Sequence, residues 1–268
     1  MKTFRADLHI HTVLSPCGDL NMSPKNIVRK AHQLGIDIIG ITDHNSTLQC
    51  SGVGREAEKN GIFMLMGAEV TTKEEFHCLV FFENQEKLQI FQQYIDEHLP
   101  NVSNDTSRFG YQVVVDEEEL ITYEEDRLLI LAIDQSVEQV ERKVHELGGL
   151  FIPAHIDKGK NSIISQLGFI QKGLDIDAIE TLNSRYVFGY SNWRAKNLAQ
   201  KRNIPEIGSS DAHFLGAIGS CVTELDADIS YESIIQAILS GKTNVYGDRT
   251  PLPLILKEVI NKKIKRMG

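Results

Sequence analysis

The chain has 268 residues, a formal net charge of −9 and four scattered cysteines. Its length suits one large domain, and α/β barrels commonly reach this size undivided. The acidic balance argues against a general nucleic-acid or acidic-membrane binder, because such surfaces are usually basic. Cysteines without CxxC spacing indicate neither a disulfide framework nor a cysteine-only zinc site. The chain also lacks a signal-type segment and a long apolar run, so we expect a cytoplasmic protein that does not enter membranes.

Three side chains able to bind metal alternate near the start of the chain, at Asp7, His9 and His11. In a strand, residues two apart share one face, so these three point the same way. Two imidazoles on one face can close on a single ion, and Asp7 stands where a carboxylate would orient a ligating histidine. The alternative is a half-exposed first strand with two chance histidines.

Downstream, apolar β-branched runs alternate with amphipathic segments, a pattern typical of β/α units. Ser23 and Pro24 predict a helix start, and Ser136 with Gln139 predicts a capping box at another. The predicted strands cover residues 36–42, 62–67, 78–82, 128–133, 150–153, 176–182 and 206–210. The other predicted helices cover 54–60, 86–99, 137–147, 162–171 and 192–202. A small β-hairpin insertion is predicted within about residues 101–127, from the runs 111–115 and 120–123.

Further polar residues stand at the ends or starts of these predicted strands: Asp43, His44, Glu69, His77, His155, Asp211 and His213. In a barrel of parallel strands such ends share one rim, where these folds place their chemistry. We therefore expect these side chains to meet in space. The three histidines inside helical patterns, His32, His98 and His145, are interpreted as surface or packing residues, and Trp193 as a packing residue.

Five segments resemble, in order and spacing, the PHP (polymerase and histidinol phosphatase) family of metal-dependent phosphoesterases. They are DLHIH at 7–11, GITDHN at 40–45, GAE at 67–69 with His77 eight residues on, PAH at 153–155 and SDAH at 210–213. The resemblance covers residues from about 3 to 220. It implies an α/β fold, a distorted (β/α)7 barrel with two or three divalent metal ions at the C-terminal ends of the strands. It also implies hydrolysis of phosphate esters.

The same resemblance implies a set of metal ligands. A first ion would be held by His9, His11, Glu69 and Asp211. Glu69 would bridge to a second ion held by His77 and His155, and a third ion would take His44 and His213. In the family a further ligand for the third ion comes from the loop after the first motif. Here that loop departs from the common patterns, and Asp19 is favoured, with Cys17 as the rival.

Mixed imidazole and carboxylate ligands suit Mn²⁺, Fe²⁺ or Zn²⁺. Two such ions can share a bridging hydroxide while they neutralise phosphoryl oxygens, so no protein nucleophile is required. Asp43 could orient a ligand or handle a proton, or simply cap a strand end. Arg185 offers a planar fork suited to phosphate, and Lys158 follows His155; each could instead form a surface salt bridge. Asp43 and Arg185 are the catalytic candidates, and Arg185 and Lys158 the substrate-binding ones.

These patterns predict one domain over residues 1–256 and a basic tail over 257–268 that is a solvated helix face or a frayed end. The predicted function is hydrolysis of a phosphomonoester of a small metabolite or nucleotide, without nucleic acid as a partner. One rival is a 3′ to 5′ exonuclease on single-stranded nucleic acid, against which the acidic balance and the lack of a basic, aromatic groove weigh. Another is a catalytically silent metal-binding module acting through partners, although the core ligand positions are all filled.

Overall fold

Strands and helices alternate along most of the computed structural model, which describes residues 2–185, 190–251 and 253–255. The strands are β1 (Lys2–Ile10), β2 (Ile38–Ile41), β3 (Phe63–Thr71), β4 (His77–Phe82), β5 (Val113–Val115), β6 (Ile121–Glu124), β7 (Leu150–Pro153), β8 (Ile179–Asn183), β9 (Glu206–Ser209), β10 (Cys221–Ala227) and β11 (Thr243–Gly247). The helices are α1 (Pro24–Gln33), α2 (Cys50–Lys59), α3 (Gln85–His98), α4 (Thr106–Phe109), α5 (Val137–Glu146), α6 (Ile163–Leu167), α7 (Tyr190–Arg202) and α8 (Tyr231–Leu239).

Seven of these strands form a curled half-barrel sheet in the order β11-β10-β1-β2-β3-β4-β7. β1, β2 and β3 are parallel neighbours, whereas β4 and β10 run antiparallel to both of their neighbours. The predicted α/β class is therefore confirmed. The distorted (β/α)7 barrel is not confirmed as such, because antiparallel pairings interrupt the alternation of parallel strands.

The parallel pair of β8 and β9 lies beside the main sheet and brings its own strand ends to the same rim. Near β7, the amide of Asp177 donates to the carbonyl of Phe151 at 3.2 Å. Just past β9, the amide of His11 donates to the carbonyl of Ala212 at 2.9 Å, and the amide of Ala212 donates to the carbonyl of His9 at 3.1 Å. The ends of β1 and β9 are thereby fixed next to each other.

Helix starts follow the capping residues that the sequence offers. α1 begins at Pro24 directly after Ser23. α5 begins after Ser136, whose amide donates to the Gln139 side chain at 2.8 Å in the predicted capping box. Apolar faces of these helices cover the sheet, so β2, β4 and β7 are buried along their whole length. The two predicted helix starts are confirmed. No helix among the described residues is long and apolar enough to cross a membrane.

The predicted β-hairpin is present as β5 and β6, and it is anchored to the body of the protein. Val113 to Val115 are buried, and the Gln49 side chain both donates to and accepts from the backbone of Val115, at 2.8 and 2.9 Å. The predicted basic tail, 257–268, lies outside the described residues.

The predicted strand at 128–133 is wrong, because these residues form turns and irregular backbone. Other backbone groups and side-chain amides share the hydrogen bonding of this segment. The amide of Leu129 donates to the Gln112 side chain at 2.9 Å, and the Asn45 side chain donates to the carbonyls of Leu129 and Leu131. Within the apolar run that suggested a strand, Leu128, Leu129 and Ile133 are buried.

Candidate metal centre

Eight buried side chains converge at the rim where β1, β2, β3, β7 and β9 end and β4 begins. We name them the rim cluster: His9, His11, His44, Glu69, His77, His155, Asp211 and His213, none more than 6% exposed. His77 joins the others because β4 runs antiparallel to β3. The first residue of β4, His77, therefore pairs with the last residue of β3, Thr71. The structure thus brings together every predicted metal ligand except Asp19.

The backbone bends sharply where the cluster forms. The β1–β2 pairing shifts register between Asp7 and Ile10, at the first motif, and such irregularities re-aim side chains at strand ends. Asn45, His155 and Asp211 all have left-handed backbone, with φ of 42°, 29° and 50°. Non-glycine residues rarely adopt this conformation, and such strain gathers at functional sites.

Glu69 lies at the centre of the rim cluster and uses both carboxylate oxygens. Its Oε1 is 2.9 Å from His77 Nδ1, 3.0 Å from His155 Nε2 and 3.3 Å from His9 Nε2. Its Oε2 is 3.0 Å from His44 Nδ1 and 3.3 Å from His11 Nε2. One oxygen therefore faces each half of the cluster, which is the placement that a bridging carboxylate requires.

Asp211 approaches the cluster from the opposite side. Its Oδ1 is 3.5 Å from His11 Nε2 and 3.3 Å from His213 Nδ1. Its Oδ2 is 3.4 Å from Lys158 Nζ, so the predicted substrate-binding lysine reaches the cluster through this carboxylate.

Two buried imidazole nitrogens of the cluster, His77 Nε2 and His155 Nδ1, have no hydrogen-bond partner. Orphaned polar atoms in a dry site are costly unless something else binds them. Ligands bound to one ion by bonds of about 2.1 Å lie about 3.0 to 3.4 Å apart, close to the separations seen here. The donor set therefore fits metal ions.

Three groups of ligand atoms within the cluster each lie inside 4.8 Å. One consists of His9, His11 and Asp211, a second of His44, Glu69 and His77, and a third of His11, His44 and His213. The resemblance placed His44 only at a third ion, whereas the geometry also puts it within reach of Glu69 and His77.

Burial and neighbouring charges set the protonation of the cluster. Burial lowers the pKa of His77 to about 4 and also lowers the pKa of His155. Burial would lower the pKa of His44 as well, but Cys17 and Glu69 raise it to about 10. For Glu69, burial favours the neutral form, yet His77 and other imidazoles hold the pKa well below its usual range. Two of these imidazoles and the carboxylate thus have the charge states that bind metal.

Asp43 lies behind His11 and acts on it through Ser15. The Ser15 hydroxyl donates to Asp43 Oδ1 at 2.6 Å and lies 3.0 Å from His11 Nδ1. The other Asp43 oxygen accepts from the Thr12 hydroxyl at 2.7 Å. Of the roles considered for Asp43, orientation of a ligand matches this placement, because both of its oxygens are engaged away from the open side of the cluster.

Asp7 does not orient a histidine. Its carboxylate accepts the amides of Ser210 at 3.0 Å and Gly219 at 2.8 Å, and so fixes the loop after β9. The carboxylate behind His9 is instead Glu180, which the sequence reasoning missed. Glu180 Oε1 is 3.2 Å from His9 Nδ1, and its Oε2 accepts the amide of His155 at 2.6 Å. The available signal was an acidic residue in the interior of the predicted strand 176–182, although Asp177 in the same strand carries the same signal.

The loop after the first motif places Cys17, rather than the carboxylate of Asp19, against a histidine of the cluster. Cys17 hydrogen-bonds to the side chain of His44. Asp19 Oδ1 accepts from the amide and the side chain of Asn21, at 2.9 and 2.8 Å, which stabilises the loop.

Arg185 follows β8 and lies beside the same part of the cluster. Its guanidinium is close enough to Cys17 and His213 to influence the pKa of each. Its Nη1 is buried without a hydrogen-bond partner. A buried guanidinium nitrogen with open donor capacity is suited to a phosphate oxygen.

Comparisons with known proteins agree with this geometry. The uncharacterised protein YqxK of Bacillus subtilis is 27% identical over 258 residues, a match that covers 84% of this chain and 59% of YqxK. A chain from Bifidobacterium adolescentis described as a metal-dependent phosphoesterase superposes with a TM-score of 0.55 at 18% identity, over 79% of this chain and 88% of that one.

Endonuclease Q, a lesion-specific endonuclease, has a similar fold. The Pyrococcus furiosus enzyme superposes with a TM-score of 0.67 at 19% identity, over 91% of this chain and 58% of that one. Endonuclease Q in complex with a 27-mer duplex, with an abasic lesion at the active site, gives 0.69 at 19% identity, over 93% and 60%. The expectation that nucleic acid is not a partner is therefore corrected, because the acidic composition that led to it does not decide what one local surface binds.

The sequence profiles of two domains match this chain. The profile described as PHP-associated matches residues 189–243. The profile of the PHP domain matches residues 7–153, more than half of the chain, and includes the motifs that supply His9, His11, His44, Glu69 and His77. With a buried cluster of imidazoles and carboxylates that fits several divalent ions, the chain belongs to the PHP domain family of metal-dependent hydrolases.

Proposed function

We propose that this chain is a metal-dependent phosphoesterase that cleaves phosphodiester bonds in nucleic acid. The observation that carries the proposal is the rim cluster, whose buried imidazoles and carboxylates lie close to Arg185, a side chain with an unpartnered Nη1. A metal-binding centre beside an open guanidinium donor suits an anionic, oxygen-rich substrate such as a phosphate ester.

The ligands divide between two faces of Glu69. His9, His11 and Asp211 would hold one ion; His44, Glu69 and His77, with His155 close by, would hold a second; His213 and Cys17 would complete a third with His44. When bound, such ions lower the pKa of a water toward neutrality and neutralise phosphoryl oxygens.

The other side chains orient these ligands and the substrate. Glu180 fixes the ring of His9, and Asp43 fixes that of His11 through Ser15. Arg185 would donate to a non-bridging phosphate oxygen. Lys158 offsets the negative charge of Asp211, which lessens repulsion between this carboxylate and an incoming phosphate.

Nucleic acid is the favoured substrate because the fold is shared with endonuclease Q, which is known in complex with duplex DNA. That protein is 19% identical to this chain and longer than it, so the likeness supports the choice of substrate class and carries no residue roles with it.

The test compares end-labelled oligonucleotides with small aryl phosphates, using protein loaded with Mn²⁺, Zn²⁺, Fe²⁺ or Mg²⁺. The oligonucleotides are a single strand, an intact duplex and a duplex with one abasic site. Bis(p-nitrophenyl) phosphate and p-nitrophenyl phosphate serve as the diester and the monoester. We expect cleavage of at least one oligonucleotide and of the diester, with loss of both on chelation. Hydrolysis of the monoester alone would overturn the proposal.

A further inference from the structure

A groove between α6 and α7 opens next to the rim cluster. Its cavity has a volume of about 370 Å³, and its walls include Phe169, Trp193, Arg194, Lys201 and Arg202. Phe169 is 59% exposed and Trp193 is 60% exposed. The interpretation of Trp193 as a packing residue is therefore wrong, and so is the expectation that the protein lacks a basic, aromatic groove.

The charge of this region is opposite to that of the whole chain. Between residues 155 and 202 the sequence has eight lysines and arginines and four aspartates and glutamates, whereas the chain as a whole carries a net charge of −9. Among the described residues that line the groove, Asp157 is the one acidic side chain, and its Oδ2 lies 3.2 Å from Arg194 Nε. The groove thus presents cations and aromatic rings within an otherwise acidic protein.

Both walls of the groove are connected to the rim cluster by short paths. On one wall, Asp157 precedes Lys158, whose Nζ is 3.4 Å from Asp211. On the other wall, Trp193 follows Asn192, whose side chain donates to the carbonyl of Asn183 at 3.3 Å. The side chain of Asn183 in turn donates to Asp211 at 3.4 Å. Each wall of the groove is thus linked to Asp211 through one or two intervening residues, and we expect a polymer with its scissile phosphate at the cluster to extend toward the groove.

We propose that this groove binds the nucleotides that flank the scissile phosphate. A base stacks on Trp193 or Phe169, while Lys201 and Arg202 contact backbone phosphates. Aromatic side chains beside a cationic track bind single-stranded nucleic acid without demanding a sequence, because every base has a stacking face. The inference rests on the proposed function, since it assumes that the substrate is a nucleic acid.

The chain contains a reporter for this groove, because Trp193 is its only tryptophan. The full-length protein is titrated with unlabelled single-stranded and duplex oligonucleotides in the presence of a chelator, so that hydrolysis is absent, and tryptophan emission is followed. We expect saturable quenching as a base stacks on the indole. The midpoint should rise with salt, because phosphate contacts release counterions.

Variants separate groove binding from general attraction. Phe169→Ala keeps the reporter and should weaken binding by about 5- to 150-fold, the range that aromatic–base stacking supports. Lys201→Ala should also weaken binding, whereas Lys196→Ala, an exposed lysine on α7 that does not line the groove, should not. Circular dichroism verifies that each variant is folded. Trp193→Ala is measured separately by anisotropy of a dye-labelled strand and should bind more weakly than the unmodified protein.

Unchanged emission at saturating oligonucleotide, or equal weakening by Lys201→Ala and Lys196→Ala, would overturn the inference. The result is distinguishable from failure of the proposed function. Cleavage of DNA without quenching would exclude nucleic-acid binding by the groove and would still support the proposed nuclease function. Quenching without cleavage in the presence of any of the metals would support nucleic-acid binding by the groove and would exclude the proposed nuclease function.

Discussion

Among the described residues, groups of ligand atoms within 4.8 Å of one another occur in two places, the rim cluster and a triad at the surface, and the two places differ in character. In the surface triad of Glu141, His145 and Asp175, the ring nitrogens of His145 both have partners, Glu141 at 2.7 Å and Asp177 at 2.9 Å. In the rim cluster, the buried ring nitrogens His77 Nε2 and His155 Nδ1 have none. Proximity alone therefore does not identify a metal site; unsatisfied donors shielded from water do.

The strongest test of this contrast is Glu69→Gln. An amide keeps the shape but loses the charge and one good acceptor, so the two halves of the cluster lose their shared ligand. We expect nearly all phosphoesterase activity and the metal-induced rise in Tm to disappear. The metal-free Tm should fall modestly, because the surrounding imidazoles that favour the ionised Glu69 carboxylate lose this partner.

A matched control is Glu125→Gln, a buried carboxylate that is paired with Arg127 and is not part of the rim cluster. It should lower stability and leave metal stoichiometry intact. If Glu69→Gln behaved in the same way, Glu69 would be a structural carboxylate, and the contrast with the surface triad would disappear.

The unpartnered guanidinium nitrogen of Arg185 sharpens the contrast from the substrate side. Arg185→Lys keeps the charge and loses the fork, so kcat/KM should fall by about 1 to 3 kcal/mol of transition-state stabilisation. Metal content should not change. Arg55→Lys, at an exposed ion pair with Glu117, should leave the kinetics unaltered. Kinetics of Arg185→Lys equal to those of Arg55→Lys would assign Arg185 to the surface.

Glu180 tests whether the carboxylate behind a ligand matters as well as the ligand itself. Glu180→Gln should weaken metal affinity by about 10- to 100-fold, because the ring of His9 loses its orienting partner. Competition with a chromophoric chelator measures this affinity. Glu206→Gln, whose carboxylate accepts from Thr181 one strand away, is the control. Equal affinities in the two variants would exclude an orienting role for Glu180.

Absorption spectroscopy can decide whether Cys17 or Asp19 is a ligand of the third ion. A thiolate bound to Co²⁺ gives a charge-transfer band in the near ultraviolet, whereas a carboxylate does not. We expect this band in the cobalt-loaded protein, its loss in Cys17→Ser and its retention in Asp19→Asn. Loss of cobalt stoichiometry in Asp19→Asn, with the band absent throughout, would assign the third site to Asp19.

The smallest effect is expected at the surface triad. It is a change in the free energy of unfolding that does not depend on metal. Hydrogen bonding to Asp177 raises the pKa of His145 to about 9. Because the folded pKa exceeds the unfolded one, this stabilisation is complete below about pH 6.5 and is lost as pH rises through about 9. His145→Gln should lower the free energy of unfolding by about 1 kcal/mol or less at pH 6 and should leave it unchanged at pH 10. Denaturant unfolding measures this difference. His32→Gln, on an exposed helix face, should cost nothing at either pH.

The elements around the cluster were predictable where a local signal determines them. Strand ends followed by His44 and His155 could be recognised because a buried apolar run precedes each, and the capping box at Ser136 carries its own hydrogen-bond pattern. The hairpin of β5 and β6 was predictable from two apolar runs around an acidic turn.

Long-range features could not be read in the same way. Strand direction in β4 and β10 depends on which neighbours each strand finds, not on its own composition. The irregular backbone at 128–133 depends on side chains of Gln112 and Asn45, distant in sequence. Glu180 acquires its role only when β8 packs behind His9. The exposure of Trp193 depends on how α7 is placed, and its aromatic composition alone favours burial.

The left-handed backbone at His155 and Asp211 has a consequence for the life of the protein in the cell. Each such residue costs on the order of 1 kcal/mol or more, and crowded ligand charges add to this. Metal binding offsets the cost only in the loaded protein. The metal-free chain should therefore open more often at the rim and be degraded faster, so that the supply of metal controls how much protein accumulates as well as how active each molecule is.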